Sequence, residues 1–324
     1  MSLHVIIGAG PVGSATAALL AGRGERVRLL SRSGTRVRSG AATPVEAVAA
    51  DATDTGRLAE LVAGASVLYN CACPPYHRWP EDWPPLAAAA LAAAGQAGAV
   101  LVTMSNLYGY GPVSHPMTEQ DPLNATGRKG KTRAAVWEQA LAAHEAGRVR
   151  VTEARASDFF GPGVRAQSPV GERSVPRLLA GRPASVLGDP DVPHSWTYVP
   201  DIAVTLATIG GDERAWGHAW HVPASPPMTQ REIFAAIARL GGAPAPRIRR
   251  VRGWQLRALG VVAPVLREFA EVGYQFDRPF VVDSSAFETT FGIRPTPVDE
   301  ALSATIEWWR KQATGVAAAT VAAG

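Results

Sequence analysis

The feature that most constrains this chain is Gly8-Ala9-Gly10-Pro11-Val12-Gly13. It lies between a short apolar run, residues 3–7, and an Ala/Leu-rich stretch over 12–23 that closes at Gly24. A β-rich run, a tight glycine turn and a helix in that order form a cradle for a pyrophosphate. The phosphates need backbone N–H groups at a helix N-terminus, and side chains must be absent where the chain passes closest. Gly8, Gly10 and Gly13 provide that absence, while Pro11 and Val12 open the helix.

The alternation then continues. Strands are predicted at 26–30, 45–49, 66–70, 99–103 and 150–156, and helices at 54–63, 85–97 and 131–146. Strands alternating with helices imply a parallel sheet covered on both faces, an α/β, Rossmann-type doubly wound fold. After about residue 165 the pattern becomes irregular, with short strands near 185–187 and 196–199 and helices near 201–209, 229–240 and 254–271. The organisation expected is a dinucleotide-binding domain over 1–165, with segments returning near 196–222, and a smaller C-terminal substrate lobe mainly over 166–312. The Ala-rich tail, 313–324, is expected to fray. With 47% hydrophobic and 19% charged residues, the chain has material for a large core and too little charge for a disordered one.

Lys and Arg exceed Asp and Glu by 32 − 28 = 4. That excess suits an anionic small molecule, or simply an arginine-rich solvated surface, and does not call for nucleic acid. The run Arg247, Arg249, Arg250, Arg252 and Arg257 with Trp254 has the cations and the aromatic of a nucleic-acid surface, yet amphipathic packing of Trp254, Leu256 and Leu259 explains it equally. Cys71 and Cys73, one residue apart, read as free thiols in a reducing compartment. No basic leader and no run of about 18 apolar residues is present, so a cytoplasmic protein without a membrane partner is expected. No metal-ligand spacing occurs among the histidines, cysteines and carboxylates.

Ligands of open α/β sheets bind at the C-terminal ends of the strands. After the second strand, where an acidic residue would select NAD, stand Ser31-Arg32-Ser33. An arginine flanked by hydroxyls can hold a 2′-phosphate, which favours NADP with NAD still possible; a solvated loop arginine is the alternative. Asp51-Ala52 and Asn70-Cys71-Ala72 follow the next two strands. The proline-stiffened aromatic segment after the fourth strand, with Tyr76, Trp79 and Trp83, suits a planar or apolar substrate or burial against the second lobe.

Over nearly its whole length the sequence resembles the extended short-chain dehydrogenase/reductase family, the NAD-dependent epimerase/dehydratase group. Asp51-Ala52 resembles that family's adenine-side Asp, and Asn70-Cys71-Ala72 its Asn-Ala-Ala turn. Leu107-Tyr108-Gly109 resembles Val-Tyr-Gly, Phe160-Gly161-Pro162-Gly163 resembles Tyr-Gly-Pro-Gly, and Tyr198-Val199-Pro200-Asp201-Ile202-Ala203 resembles Tyr-Val-x-Asp-Val-Ala. The glycine turn is one residue shorter than the family's.

The larger departure is catalytic. With Glu138 matched to the glutamate that follows the family's Tyr-x-x-x-Lys, the tyrosine place falls on Gly130 and the lysine place on Ala134, and a register that keeps Lys131 puts Gly127 at the tyrosine. Glycine and alanine transfer no proton. Tyr108 or Lys131 is therefore expected to supply any proton transfer, with Ser105 or Thr103 orienting the substrate oxygen. The basic cluster Arg128, Lys129, Lys131 and Arg133 reads equally as an exposed helix start. Many sugar-nucleotide members carry an arginine just before Tyr-Val-x-Asp; here stand His194-Ser195-Trp196, and His194 is a candidate substrate contact or acid, with an incidental loop histidine as the alternative. The resemblance implies an NAD(P)-dependent oxidoreductase or epimerase, by family habit a homodimer, acting on a carbonyl or secondary alcohol of a small non-nucleotide substrate. The missing pair supports a second reading, a dinucleotide-binding sensor or interaction protein without redox chemistry.

Overall fold

A computed structural model describes residues 1–36, 43–251 and 271–322, with side chains through residue 314. Its first half alternates strand and helix: β1 (Leu3–Ile7), α1 (Pro11–Gly22), β2 (Arg26–Ser31), β3 (Val45–Ala49), α2 (Thr55–Val62), β4 (Val67–Asn70), α3 (Trp79–Ala97), β5 (Val100–Asn106), α4 (Arg128–Glu145) and β6 (Arg150–Ala156). The remainder adds β7 (Phe159–Phe160), α5 (Val175–Leu179), β8 (Ala184–Leu187), β9 (Thr197–Tyr198), α6 (Val199–Gly211), β10 (Ala219–His221), α7 (Gln230–Leu240), β11 (Ile248–Val251), α8 (Ser285–Phe291) and α9 (Val298–Ala322).

Seven strands form one parallel sheet in the order β10-β6-β5-β4-β1-β2-β3. The chain winds outward from β1 to β3, then crosses back to place β4 on the other side of β1, which opens a crevice between the loops after β1 and β4. The register aligns Ile7 with Leu30 and Asn70, and Asn70 with Thr103. Gly8, Ser31, Cys71 and Met104 therefore leave the sheet along one edge.

Nearly unbroken apolar strands such as Val67–Asn70 are buried on both faces. On one face α2, α3 and α4 bury Leu58, Trp79, Trp83, Leu86 and Trp137 against Val5, Leu68 and Leu101. On the other, α1 and α6 bury Leu20, Ile202 and Leu206 against Ile6, Tyr69 and Val102. The segment from β9 to β10 thus returns to the sheet, and α6 is held there partly by Asp201, which accepts hydrogen bonds from the Thr296 backbone N–H and hydroxyl at 2.9 and 2.6 Å. A separate core joins α5, α7 and α9 beside the β8–β11 pair, with Phe160, Trp196, Phe234, Leu302 and Trp309.

Three elements differ from the sequence expectation. Helix α3 starts at Trp79 rather than near residue 85 and carries Pro84 and Pro85 inside it; burial of Trp79 and Trp83 outweighs the backbone bonds those prolines forgo. Helix α4 starts at Arg128, three residues early. The Ala-rich end, expected to fray, is helical to Ala322, in keeping with the high helix propensity of alanine. The helix expected near 254–271 lies outside the described residues except Glu271, as do Arg252, Trp254 and Arg257 of the basic run; Arg249 and Arg250 are exposed on β11.

The glycine turn divides its labour. A Cβ on Gly13 would lie 1.9 Å from the Gly8 carbonyl oxygen, whereas one on Gly10 would meet nothing within 4 Å. Gly13→Ala is therefore expected to destabilise the fold by about 1–3 kcal/mol in urea unfolding, as overpacking does. Gly10→Ala should change stability by no more than about 0.5 kcal/mol.

Candidate functional site

The strand ends open into a cleft of about 1910 Å³ that runs from the glycine turn to the second lobe. At its floor α1 begins at Gly10, whose extended backbone makes no side-chain cap hydrogen bond, so the helix N-terminus is left to a ligand. Gly8 adopts φ +101°, and a Cβ there would strike the Cys71 and Ala72 backbone at 2.7 to 2.8 Å. The turn after β1 and the turn after β4 are therefore in backbone contact, and Cys71 packs its Cβ toward Gly13. Burial pushes the Cys71 thiol up to about 12, so it stays protonated. Both cysteines are free thiols.

Gly8, Gly10, Pro11 and Val12 line this cleft, as do Ser31, Arg32, Ser33, Asp51, Ala52, Cys71 and Ala72. Gly13 stands behind the turn. Asn70 is buried below the floor, its side-chain oxygen without a hydrogen-bond partner. Ser31 Oγ accepts from the Thr35 backbone N–H at 2.9 Å and Ser33 Oγ pairs with Thr35 Oγ1 at 2.7 Å, leaving Arg32 exposed at the rim. Asp51 Oδ1 accepts from the Thr53 backbone and hydroxyl, which together with the nearby Arg32 hold its carboxyl below the usual range.

Deeper in, Tyr76, Trp79, Trp83 and Tyr108 form an aromatic wall. Trp79 and Tyr108 stack at 5.9 Å, and Tyr76 meets Trp79 edge-on at 5.0 Å. The Tyr76 hydroxyl donates to the Tyr108 oxygen at 3.0 Å, and the Gln275 side chain also hydrogen-bonds that oxygen. Tyr108, accepting these, keeps its own proton to give. Burial, with the Asp158 carboxylate next in importance, raises the Tyr108 phenol far above its ordinary value, so it is a protonated donor at neutral pH.

Ser105, buried on β5, lines the same cleft, whereas Thr103 does not. Lys131 is exposed and outside the cleft. Gly130 leaves no room for a side chain: a Cβ would lie 2.3 Å from Ala125 Cβ and 2.4 Å from the Tyr108 carbonyl oxygen. A buried cation in the cleft wall is Arg133, only 3% exposed. Its guanidinium donates to the Met104 carbonyl at 2.8 Å and lies 4.1 Å over the Trp83 ring, while Nε and Nη1 find no hydrogen-bond partner. Burial pulls its pKa below the usual guanidinium range, the Glu153 carboxylate opposing. The fully buried Lys129 pairs with Glu271 at 3.0 Å and sits 4.8 Å over the Tyr76 ring.

His194 does not line the cleft. It is 1% exposed, stacked on Phe276 and Phe280, and its Nε2 lies 3.0 Å from Oδ2 of Asp158, which does line the cleft. Sequence reading passed over Asp158, although its place two residues beyond the end of β6, on the ligand side of the sheet, is a signal. Nothing in the sequence marks Gln275, which tertiary packing delivers from a distant segment.

Among the described residues no group of three His, Cys, Asp or Glu side chains is placed to hold a metal, and no helix is long and apolar enough to cross a membrane. A doubly wound parallel sheet with an uncapped helix behind an open glycine at its switch point defines a dinucleotide-binding α/β protein. The model of the NAD dependent epimerase/dehydratase family matches residues 4–218, and the chain belongs to that family. Solved structures similar to it include a dTDP-glucose 4,6-dehydratase from Bacillus anthracis in complex with NAD, at TM-score 0.79 and 17% identity over 96% of this chain and 97% of that one. The dTDP-glucose 4,6-dehydratase of Streptomyces venezuelae with NAD bound matches at 0.75 and 21% identity over 95% and 97%. The UDP-glucose 4-epimerase of Thermotoga maritima with UDP-glucose matches at 0.77 and 16% identity over 96% and 99%. No curated protein sequence matches the chain.

A buried guanidinium without a carboxylate at contact costs stability. Arg133→Met, which keeps the stem's packing and drops the charge, should therefore leave the urea midpoint unchanged or raise it. A loss of more than about 2 kcal/mol would show that Arg133 holds the fold instead.

Proposed function

We propose that this protein is an NAD(P)-dependent oxidoreductase or epimerase acting on a carbonyl or secondary alcohol of a small, non-nucleotide substrate. One observation carries the reading: the open space at Gly10, over the uncapped start of α1, shares a cleft with the buried hydroxyl of Ser105 and the phenol of Tyr108. A nicotinamide dinucleotide fits that cradle, and when bound it supplies hydride transfer. Gly8 and Gly10 admit the pyrophosphate, Asp51 and Ala52 lie beside the adenosine half, and Arg32 at the rim favours the 2′-phosphate of NADP.

In this proposal Ser105 orients the substrate oxygen and Tyr108 gives it a proton, since Tyr76 and Gln275 already occupy the acceptor side of the phenol. Arg133, a permanent cation in the wall, stabilises negative charge that develops on that oxygen. Tyr76 and Trp79 present flat apolar surface to the substrate. The second reading, a dinucleotide-binding protein without redox chemistry, is favoured by Gly130, where packing leaves no room for a side chain at the family's tyrosine place.

Calorimetric titration with NADPH and NADH tests the cofactor half. Gly10→Val should fold yet weaken both about tenfold or more. Arg32→Ala should weaken NADPH about 10- to 100-fold and spare NADH, the worth of charge-assisted hydrogen bonds. If neither dinucleotide binds the native protein, both readings fail. On a carbonyl substrate found by screening, Tyr108→Phe should lower kcat about 10²–10⁴-fold and leave dinucleotide affinity unchanged; wild-type turnover in that variant would remove Tyr108 from the reaction.

A further inference from the structure

Arg133 carries hydrogen-bonding capacity that the protein leaves unused. A guanidinium has N–H donors on all three nitrogens and no acceptor. Nη2 donates to the Met104 carbonyl at 2.8 Å, while the buried Nε and Nη1 reach no partner. The ring beneath it adds to this deficit. Trp83, whose ring centroid lies 4.1 Å from the guanidinium carbon, also holds its buried Nε1–H without an acceptor. Unanswered donors from α3 and α4 thus meet at one place, and both side chains line the cleft. A buried donor without an acceptor is costly, and one on a charged group more so.

The charge around Arg133 is likewise incomplete. The charged groups that act on it are Glu153 and Arg155, with the Cys73 thiol also near. Glu153 is committed to Arg155, accepting from its Nε at 2.7 Å, and its other carboxylate oxygen reaches no donor. Lys129, one turn earlier on α4, is matched by Glu271 at 3.0 Å. Two buried guanidiniums therefore share one buried carboxylate, and among the described residues Arg133 has none at contact. The Ser105 hydroxyl, next to Met104 on β5, and the Cys73 thiol, kept protonated by burial, line the cleft as well.

We propose that the substrate bears a carboxylate, held by the Arg133 guanidinium and the Trp83 Nε1–H, with its planar body against Tyr76 and Trp79. The inference deepens the function proposed above and rests on it. A carboxylate only accepts hydrogen bonds, which matches a patch that only donates. It also supplies the charge that Arg133 lacks. A neutral compound of the same shape leaves that charge unanswered, and a cationic one is repelled, so the wall selects the acid by favouring it and by penalising its analogues. Arg133 in this role sets specificity before any charge develops on the reacting oxygen.

The test is calorimetric titration of the full chain at fixed ionic strength, with and without NADPH, using benzoylformate and its neutral amide as probes of nearly one shape. Benzoylformate should bind about 10- to 100-fold more tightly than the amide, the worth of hydrogen bonds to a charged group. Arg133→Met should remove that preference and leave NADPH affinity unchanged. Trp83→Phe, which keeps an aromatic face and drops the Nε1–H, should weaken benzoylformate about 3- to 10-fold. No binding of benzoylformate to the native protein, or equal binding of acid and amide, overturns the proposal whether or not the variants fold. So does an acid preference that survives in Arg133→Met. A loss of NADPH affinity in that variant, in place of the acid preference, assigns the guanidinium to the dinucleotide and overturns it too. The two failures stay distinct: a native protein that binds NADPH but not benzoylformate sinks this inference alone, whereas one that binds no dinucleotide sinks the function proposed above.

Discussion

The backbone contact between the turn after β1 and the turn after β4 is the constraint on which the site depends. Gly8 can approach Cys71 and Ala72, and Gly13 can approach Gly8, only because neither carries a Cβ. That approach draws α1 down onto the sheet and points its first N–H groups into the crevice. The same closeness fixes β1 beside β4, where the winding of the sheet reverses. The uncapped start of α1 and the turn after β4 are thus brought together by a single packing event.

The second constraint is the burial of charge around the aromatic wall. Arg133 and Lys129 are each almost wholly buried, and each is accommodated differently: Arg133 by a carbonyl and the face of Trp83, Lys129 by Glu271 and the face of Tyr76. Cations on aromatic faces lose less on desolvation than cations among aliphatic side chains. The Trp and Tyr residues near the start of α3 therefore serve twice, as cleft surface and as counter-surface for charge.

At the start of α4 the chain is closed by packing: the Tyr108 carbonyl and Ala125 occupy the space that a side chain at Gly130 would need. The phenol of Tyr108 is brought to the cleft by the same loop.

Much of this was legible in the sequence, for a physical reason. Strand–helix alternation and the glycine spacing are local signals, so the parallel sheet, its switch point and residues such as Gly10, Ser31, Asp51 and Tyr108 could be placed from neighbours along the chain. The early start of α3 was not legible, because Pro84 and Pro85 argue against a helix locally and only burial of Trp79 and Trp83 overrules them. Nor could sequence show that Arg133 turns inward while Lys131, two residues away, stays exposed; on a helix that difference is set by what packs against each face. The meeting of Asp158, His194 and Gln275 joins three segments up to 117 positions apart (275 − 158 = 117). Sequence determined the cradle, because a cradle is built from consecutive residues; tertiary structure decided the aromatic wall of the cleft and its buried cations, because contacts between distant segments exist only once the chain has packed.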